Sequence, residues 1–336
     1  MKAIYFTGHG VAVLAQLPEP ELTPGHALID VRASGLCHTD IDVLHGRYGS
    51  SAFPLVPGHE YAGVVLAVAD DVTNVKPGDR VAVDPNIPCG HCRACLKGLT
   101  NLCPDLKAYG VTHNGGFAER SLVDARHLYS IGNLPFEVAA LAEPLACVLN
   151  GLGVAGLKAG PQNTETALVF GAGPIGLLLA LSLKAQGGLN VAVADINEHR
   201  LAFAESLGLK PLISGSAALQ ARRHSFDFVA DATGIASVVE STVGFTADGG
   251  TILMFGVCAP DALISLAPFE IFRRQIRIAG SHSLNRNIGQ ALEILQKDRG
   301  EMARLVSHRL PLEEMLPFFT SYGGDPATMK IQFVPA

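Results

Sequence analysis

"TALVFGAGPIGLLLALSLKAQ", residues 166 to 186, joins a β-rich apolar run to Gly171, Gly173 and Gly176 and then to an apolar pattern of helical period. G-x-G-x-x-G in a strand-turn-helix context is a dinucleotide-binding turn. The first glycine makes the tight turn, the second lets backbone approach a pyrophosphate, and the third lets helix pack on strand. The helix N-terminus, where Pro174 and Ile175 stand, then attracts the phosphates. A second apolar run, "LNVAVADI", ends in Asp195, nineteen residues after Gly176. A carboxylate there would accept hydrogen bonds from the adenosine ribose and repel a 2′-phosphate, which favours NAD over NADP.

The alternation continues outward from this unit. A helix-like "EHRLAFAESLG" (198–208), with Arg200 as a further cofactor candidate, precedes a strand-like "FDFVADATG" (226–234), and after another helical stretch comes "GGTILMFGV" (249–257). Strands separated by helices imply a parallel, doubly wound α/β sheet. Ligands of such sheets sit beyond the C-terminal strand ends, so "DATG" with Thr233 and "GVCA" with Val257 are expected near the nicotinamide half; both also read as ordinary strand-to-helix turns. The first 146 residues differ, with short Val-rich strands and frequent Gly or Pro turns, as in "ALIDVRASG" and "PGDRVAVDP". That is the texture of an irregular β domain.

Composition bounds what such a chain does. Its 336 residues suffice for two domains with their own cores, so disulfide staples are unnecessary. Seven cysteines and an N-terminus without the order of a secretion signal favour a reduced, cytoplasmic setting. A net charge of −6 without a run of Lys or Arg argues against nucleic acid. The longest apolar stretch, near "IGLLLALSLKAQG", is too short to span a bilayer and is interrupted by Ser182 and Lys184, so no membrane partner is expected.

In that setting "DPNIPCGHCRACLKGLTNLCP" (84–104) reads as a metal lobe. Cys89, Cys92, Cys95 and Cys103 follow C-x2-C-x2-C-x7-C, which lets four sulfurs converge on one Zn2+ and leaves no open position, as in a structural site. A second, mixed set is offered by Cys37 in "GLCHTD", His59 with Glu60 in "VPGHEYAG", and Glu143 in "LAEPLACV". Thiolate, imidazole and carboxylate suit zinc and leave room for water or a substrate oxygen, although each residue alone reads equally as a core or turn residue.

Together "GLCHTD", "PGHE", the four-cysteine lobe, "GGFAE", "EPLA", "GAGPIG" and "DATG" resemble, in order and over nearly the whole chain, the zinc-dependent medium-chain dehydrogenase/reductase family, and most of all its polyol (sorbitol-type) branch. The resemblance implies a GroES-like catalytic domain of residues 1–146 and 284–336 and a Rossmann domain of residues 147–283. It also implies two zinc ions per chain, with Cys37, His59 and carboxylate from Glu60, Glu143 or both at the catalytic one; Cys147 reads as core. Zinc would act as a Lewis acid on a secondary hydroxyl of a sugar alcohol, hydride would pass to NAD, and a ketose would result. Thr39 matches the family's relay hydroxyl, with Asp42 or His45 as the relay's end, while His38 reads equally as near the cofactor phosphates or facing solvent. Sorbitol-type relatives carry an Arg-Tyr pair where this chain has Ser283 and Leu284, with Arg286 three residues on, so the sugar alcohol is not specified. The alternatives are a dehydrogenase of simple alcohols or threonine, and a non-catalytic NAD-binding protein. "DALISLAPFEIFRRQIRIAG" (261–280) looks like the edge strand and following helix through which relatives dimerise, and a homotetramer or homodimer is expected.

Overall fold

Six parallel strands form the sheet announced by the glycine turn, in the spatial order Lys210–Ile213, Asn190–Asp195, Thr166–Phe170, Phe226–Asp231, Thr246–Met254 and Arg277–Gly280. They belong to a computed structural model that describes residues 1–48, 53–157, 165–185, 189–320, 325 and 327–336. Helices Pro174–Ala185, Glu198–Ser206, Ala217–Gln220, Ala236–Ser241 and Pro268–Arg273 alternate with the strands. Leu168, Phe170, Ala192, Ala194, Val229 and Phe245 are packed together in one core, which is why these strands read as continuous apolar runs. The strand order reverses between Thr166–Phe170 and Phe226–Asp231, and a doubly wound sheet binds ligands in the crevice at that reversal. Gly171 lies there at φ +103°, a conformation that glycine adopts without strain. A Cβ at Gly176 would collide with the Gly171 carbonyl oxygen, so helix and strand approach as closely as the third glycine predicts.

This sheet lies within one unit of the structure, Cys147–Ser283; the other comprises Met1–Ala146 and Leu284–Ala336. The second unit is built on a seven-stranded sheet in the order Val306–Leu310, Lys330–Phe333, His26–Gly35, Glu60–Val68, Arg80–Val83 and Leu128–Ser130, with Arg120–Asp124 also paired to His26–Gly35. All pairings but the first are antiparallel. The alternating burial of His26–Gly35 reflects one face turned to a core that contains Ile29, Val31, Val65, Val81 and Phe117. Helix Leu312–Thr320 closes that core, with Phe319 set edge-on against Phe6 and Phe117 at centroid distances of 5.5 and 5.2 Å.

Two expectations need correction. An apolar helical run longer than the one in the glycine motif exists at Phe136–Val154; it meets the length and composition of a membrane span, yet 67% of it is buried inside the protein, as in a core helix. The order at 261–280 is also the reverse of that expected, since helix Pro268–Arg273 precedes edge strand Arg277–Gly280. The run "ALISLA" reads as strand by composition, but no strand forms over it.

Candidate active site

Cys37 is the N-cap of helix His38–Leu44, and Glu60 opens the strand Glu60–Val68, directly across the ladder from Gly35. This juxtaposition of a strand end, a helix start and the "PGHE" turn brings Cys37, His59 and Glu60 together, with one ligand atom of each within 4.8 Å of the others. His59 and Glu60 are buried at 7% and 1% exposure. A Cβ at Gly35 would run into Glu60 Oε2, so glycine makes room for the carboxylate.

Two residues that sequence reasoning did not single out hold this group. Asp40, fully buried, accepts the Cys37 N–H at 2.9 Å and the Gly58 N–H at 3.1 Å, and its Oδ1 lies 3.3 Å from His59 Nδ1, out of line for a hydrogen bond. Lys330 donates from Nζ to Glu60 Oε1 at 2.7 Å and to the Leu36 carbonyl at 3.2 Å. The signals were present: an acid at the third position of a helix led by Cys37, and a lysine inside the wholly buried strand "KIQF". Burial presses the His59 pKa down, but the charges of Asp40 and Cys37 outweigh it and raise it well above 6.5. A metal ion bound through His59 would take the place of a proton that these neighbours favour.

The donor set fits zinc. Sulfur, nitrogen and oxygen converge on one point, and Glu60 Oε2 is buried without a hydrogen-bond partner, which a cation would provide. Glu143, in the first turn of helix Ala142–Val154, is buried but lies outside the Cys37–His59–Glu60 group; Cys147, one turn on, is half-buried. Thr39 is partly buried in the turn after Cys37. Asp42 accepts from Arg47 Nε at 2.9 Å and has His38 Nε2 at 3.8 Å, while His45 is exposed and packs beside Gly10.

The four lobe cysteines form a second group, also within 4.8 Å of one another, near the roughly 3.8 Å that Zn–S bonds of about 2.3 Å set between sulfurs in a tetrahedron. None is in a disulfide. N–H groups of Cys89, Cys92 and Cys95 point at the sulfurs of Cys103, Cys89 and Cys92, each at 3.4 Å. Backbone donors from His91 and Cys92 pull the Cys89 thiol down, whereas burial pushes Cys95 up. A metal held by four thiolates would level this difference.

In the parallel-sheet unit, Asp195 braces the glycine turn, accepting the Ala172 N–H at 2.6 Å through Oδ2 and the Asn197 N–H at 2.8 Å through Oδ1. Arg200 Nη1 stands 3.9 Å from where a Cβ of Gly173 would be, and its Nε is buried without a partner, which suits a ligand oxygen over Gly173. Thr233 donates from Oγ1 to Asp231, 2.5 Å away, and its side chain lies against Gly171. Val257 is 85% exposed, and its carbonyl faces Gly234 so closely that only glycine fits there. The two strand-end turns thus pack against each other and beside the glycine turn. Pro174 and Ile175 lie in the first turn of helix Pro174–Ala185.

Comparison with known proteins points the same way. Residues 23–133 match the alcohol dehydrogenase GroES-like domain family, and residues 174–297 match the zinc-binding dehydrogenase family. A D-altritol 5-dehydrogenase of Agrobacterium fabrum is 68% identical over 333 residues, 99% of each chain. A structure from Sinorhizobium meliloti 1021 bound to NADP is 29% identical with a TM-score of 0.93, over 99% of each chain. An alcohol dehydrogenase from E. coli CFT073 complexed with NADH is 26% identical with a TM-score of 0.89, again over 99% of each chain.

Proposed function

The chain belongs to the zinc-dependent medium-chain dehydrogenase/reductase family, and on that premise we propose that it oxidises a secondary hydroxyl of a sugar alcohol to a ketose with NAD as acceptor. The observation that carries this reading is the buried sulfur, nitrogen and oxygen group of Cys37, His59 and Glu60. These residues would hold a catalytic zinc, with Glu143 as a further carboxylate, and Cys89, Cys92, Cys95 and Cys103 a structural one. When bound, zinc supplies a Lewis acid that makes a hydroxyl more acidic, and NAD supplies the hydride acceptor.

The chain's own residues do the rest. Asp40 orients Cys37 and the turn that carries His59, and Lys330 neutralises one oxygen of Glu60 and leaves the other for the cation. Thr39 takes the substrate's proton toward solvent, with Asp42 or His45 beyond it. Gly171, Gly173 and Gly176 open the phosphate turn, Arg200 and Asp195 face the adenosine ribose, and Thr233 and Val257 flank the nicotinamide. Support for NAD over NADP comes from Asp195, whose charge opposes a 2′-phosphate. Support for a polyol comes from the D-altritol 5-dehydrogenase relative, and support for a reducing, cytoplasmic setting from seven free thiols. We also propose a homodimer or homotetramer, on the evidence of helix Pro268–Arg273, none of whose residues is buried although it carries Phe269 and Phe272.

The test is cofactor reduction with NAD and NADP across hexitols, pentitols, simple alcohols and threonine, before and after chelation. NAD-dependent turnover of one stereochemical group of polyols, lost on chelation and restored by zinc, is the expected result. Turnover confined to simple alcohols or threonine would overturn the substrate, and none with any of them would overturn catalysis.

A further inference from the structure

Beside the lobe, and wholly inside the unit that carries Cys37, lies a cavity of about 440 Å³ lined by Asp84, Asn86, Thr100, His127, Tyr129 and Arg286 among others. None of these six has been given a role above. The sheet register says where the cavity stands. Ala62 faces Ala82, Gly63 faces Val81 and Val64 faces Arg80, so the strand that Glu60 opens is the neighbour of Arg80–Val83, which Asp84 directly follows. Glu60 is abreast of Gly35 on its other side, and the Asp84 N–H donates to the His127 carbonyl. The strand that begins at Glu60 of the metal group therefore lies next to the strand that leads into the cavity wall.

The chemistry of the lining selects among ligands. Asp84 is 4% exposed; its Oδ1 accepts the Asn86 N–H at 3.0 Å, and among the described residues no cation lies within ion-pairing distance of it. Arg286 has no carboxylate partner at that distance among the described residues either, and holds φ at 60°, a conformation rare outside glycine that tends to mark functional positions. Burial keeps His127 below its ordinary pKa and hence neutral, and Arg126, at the rim, is already paired with Asp124 at 2.6 Å. The formal charges of Asp84 and Arg286 offset each other. A phosphate or a strong cation would find no excess of the opposite sign, whereas a neutral chain of hydroxyls would find both acceptors and donors in Asp84, Asn86, Tyr129 and Arg286.

The cavity wall is also held firmly. Asn285 accepts from Thr100 N–H and Oγ1 at 3.2 and 2.8 Å and donates to the Gly98 carbonyl at 2.9 Å, while Asn86 Nδ2 donates to the Leu284 carbonyl at 3.1 Å. The segment that carries Arg286 is thereby tied to the lobe, and a site on such supports is preorganised.

We propose that this cavity receives the end of the polyol chain remote from the reacting hydroxyl, with Asp84 and Arg286 as residues that determine specificity for substrate length. The proposal rests on the polyol reading above and gives it a place in the fold. Its test is steady-state kinetics of the zinc-loaded, full-length enzyme and of Asp84→Asn and Arg286→Ala on 2-propanol, 2,3-butanediol, a pentitol and a hexitol. In wild type, kcat/KM should climb with chain length. Arg286→Ala and Asp84→Asn should lower the hexitol value about tenfold or more, mainly through KM, as loss of a charged hydrogen bond does, and the loss should shrink at each shorter substrate. An equal loss on all four, or none on the hexitol, overturns the proposal while the polyol reading stands. A wild type that turns over no polyol overturns both.

Discussion

Lys330 is the residue whose removal tells most about the metal group. It is 6% exposed and its partner Glu60 is 1% exposed, so the pair gives up hydration for one 2.7 Å contact. Lys330→Met should destabilise the metal-free protein by about 3–5 kcal/mol, because it strands a buried carboxylate; Lys330→Met with Glu60→Gln should recover most of the loss. Thermal melts of both variants check this. Asp84 makes the opposite case. Burial lifts its carboxyl from 3.8 to about 6, so its contribution to stability is full below about pH 3.8 and is lost as pH rises through about 6. Asp84→Asn should therefore gain at most about 3 kcal/mol at pH 7 and almost nothing at pH 4, measured by urea denaturation. At this scale the sequence displayed Cys37 and His59, because thiol and imidazole in short glycine-flanked motifs carry their own signal. It hid the Glu60–Lys330 pair, whose members are 270 residues apart and meet only through sheet pairing.

Among elements, the glycine turn was the most legible, since Gly171 and Gly176 answer steric demands that the backbone alone imposes, a positive φ at the first and a close approach of helix to strand at the second. Gly176→Ala is a sharp check. Alanine improves helix propensity by about 1 kcal/mol, but its Cβ would collide with the Gly171 carbonyl, and forcing strand and helix apart costs about 1–3 kcal/mol. The variant should be less stable in urea and should lose the fluorescence enhancement of bound NADH. The clustering of the lobe cysteines was legible, but not the lobe's part as a support. Its link to the segment at 284–287 runs through Asn285 side-chain atoms, and an asparagine in a loop has no spacing rule to betray it. Cys92→Ser should therefore speed hydrogen exchange both at Gly98–Thr100 and at Leu284–Asn287, while strand Thr166–Phe170 exchanges as before; acceleration confined to the lobe would show that Asn285 transmits nothing.

For the molecule as a whole, composition and alternation announced two architectures, a parallel sheet and an antiparallel one, because burial on two faces and burial on one leave different patterns along a strand. What the patterns missed lies at the outer edge of the parallel sheet. There "ALISLA" has strand composition without a strand, and Arg277–Gly280 forms the edge, one face of it exposed. An uncovered edge strand beside exposed Phe269 and Phe272, at 68% and 78%, is a liability for a lone chain and an asset for an assembly. If this face joins two subunits, its burial is mainly apolar, so association should survive high salt, which screens charges but not apolar contact. Light scattering on wild type at micromolar concentration should give the mass of two or four chains at low and high salt alike. Phe269→Glu with Phe272→Glu should lower that mass while far-ultraviolet circular dichroism holds, because neither ring is part of a core. A wild type that scatters as a single chain would refute the assembly, and a double variant of unchanged mass would move the interface to another face.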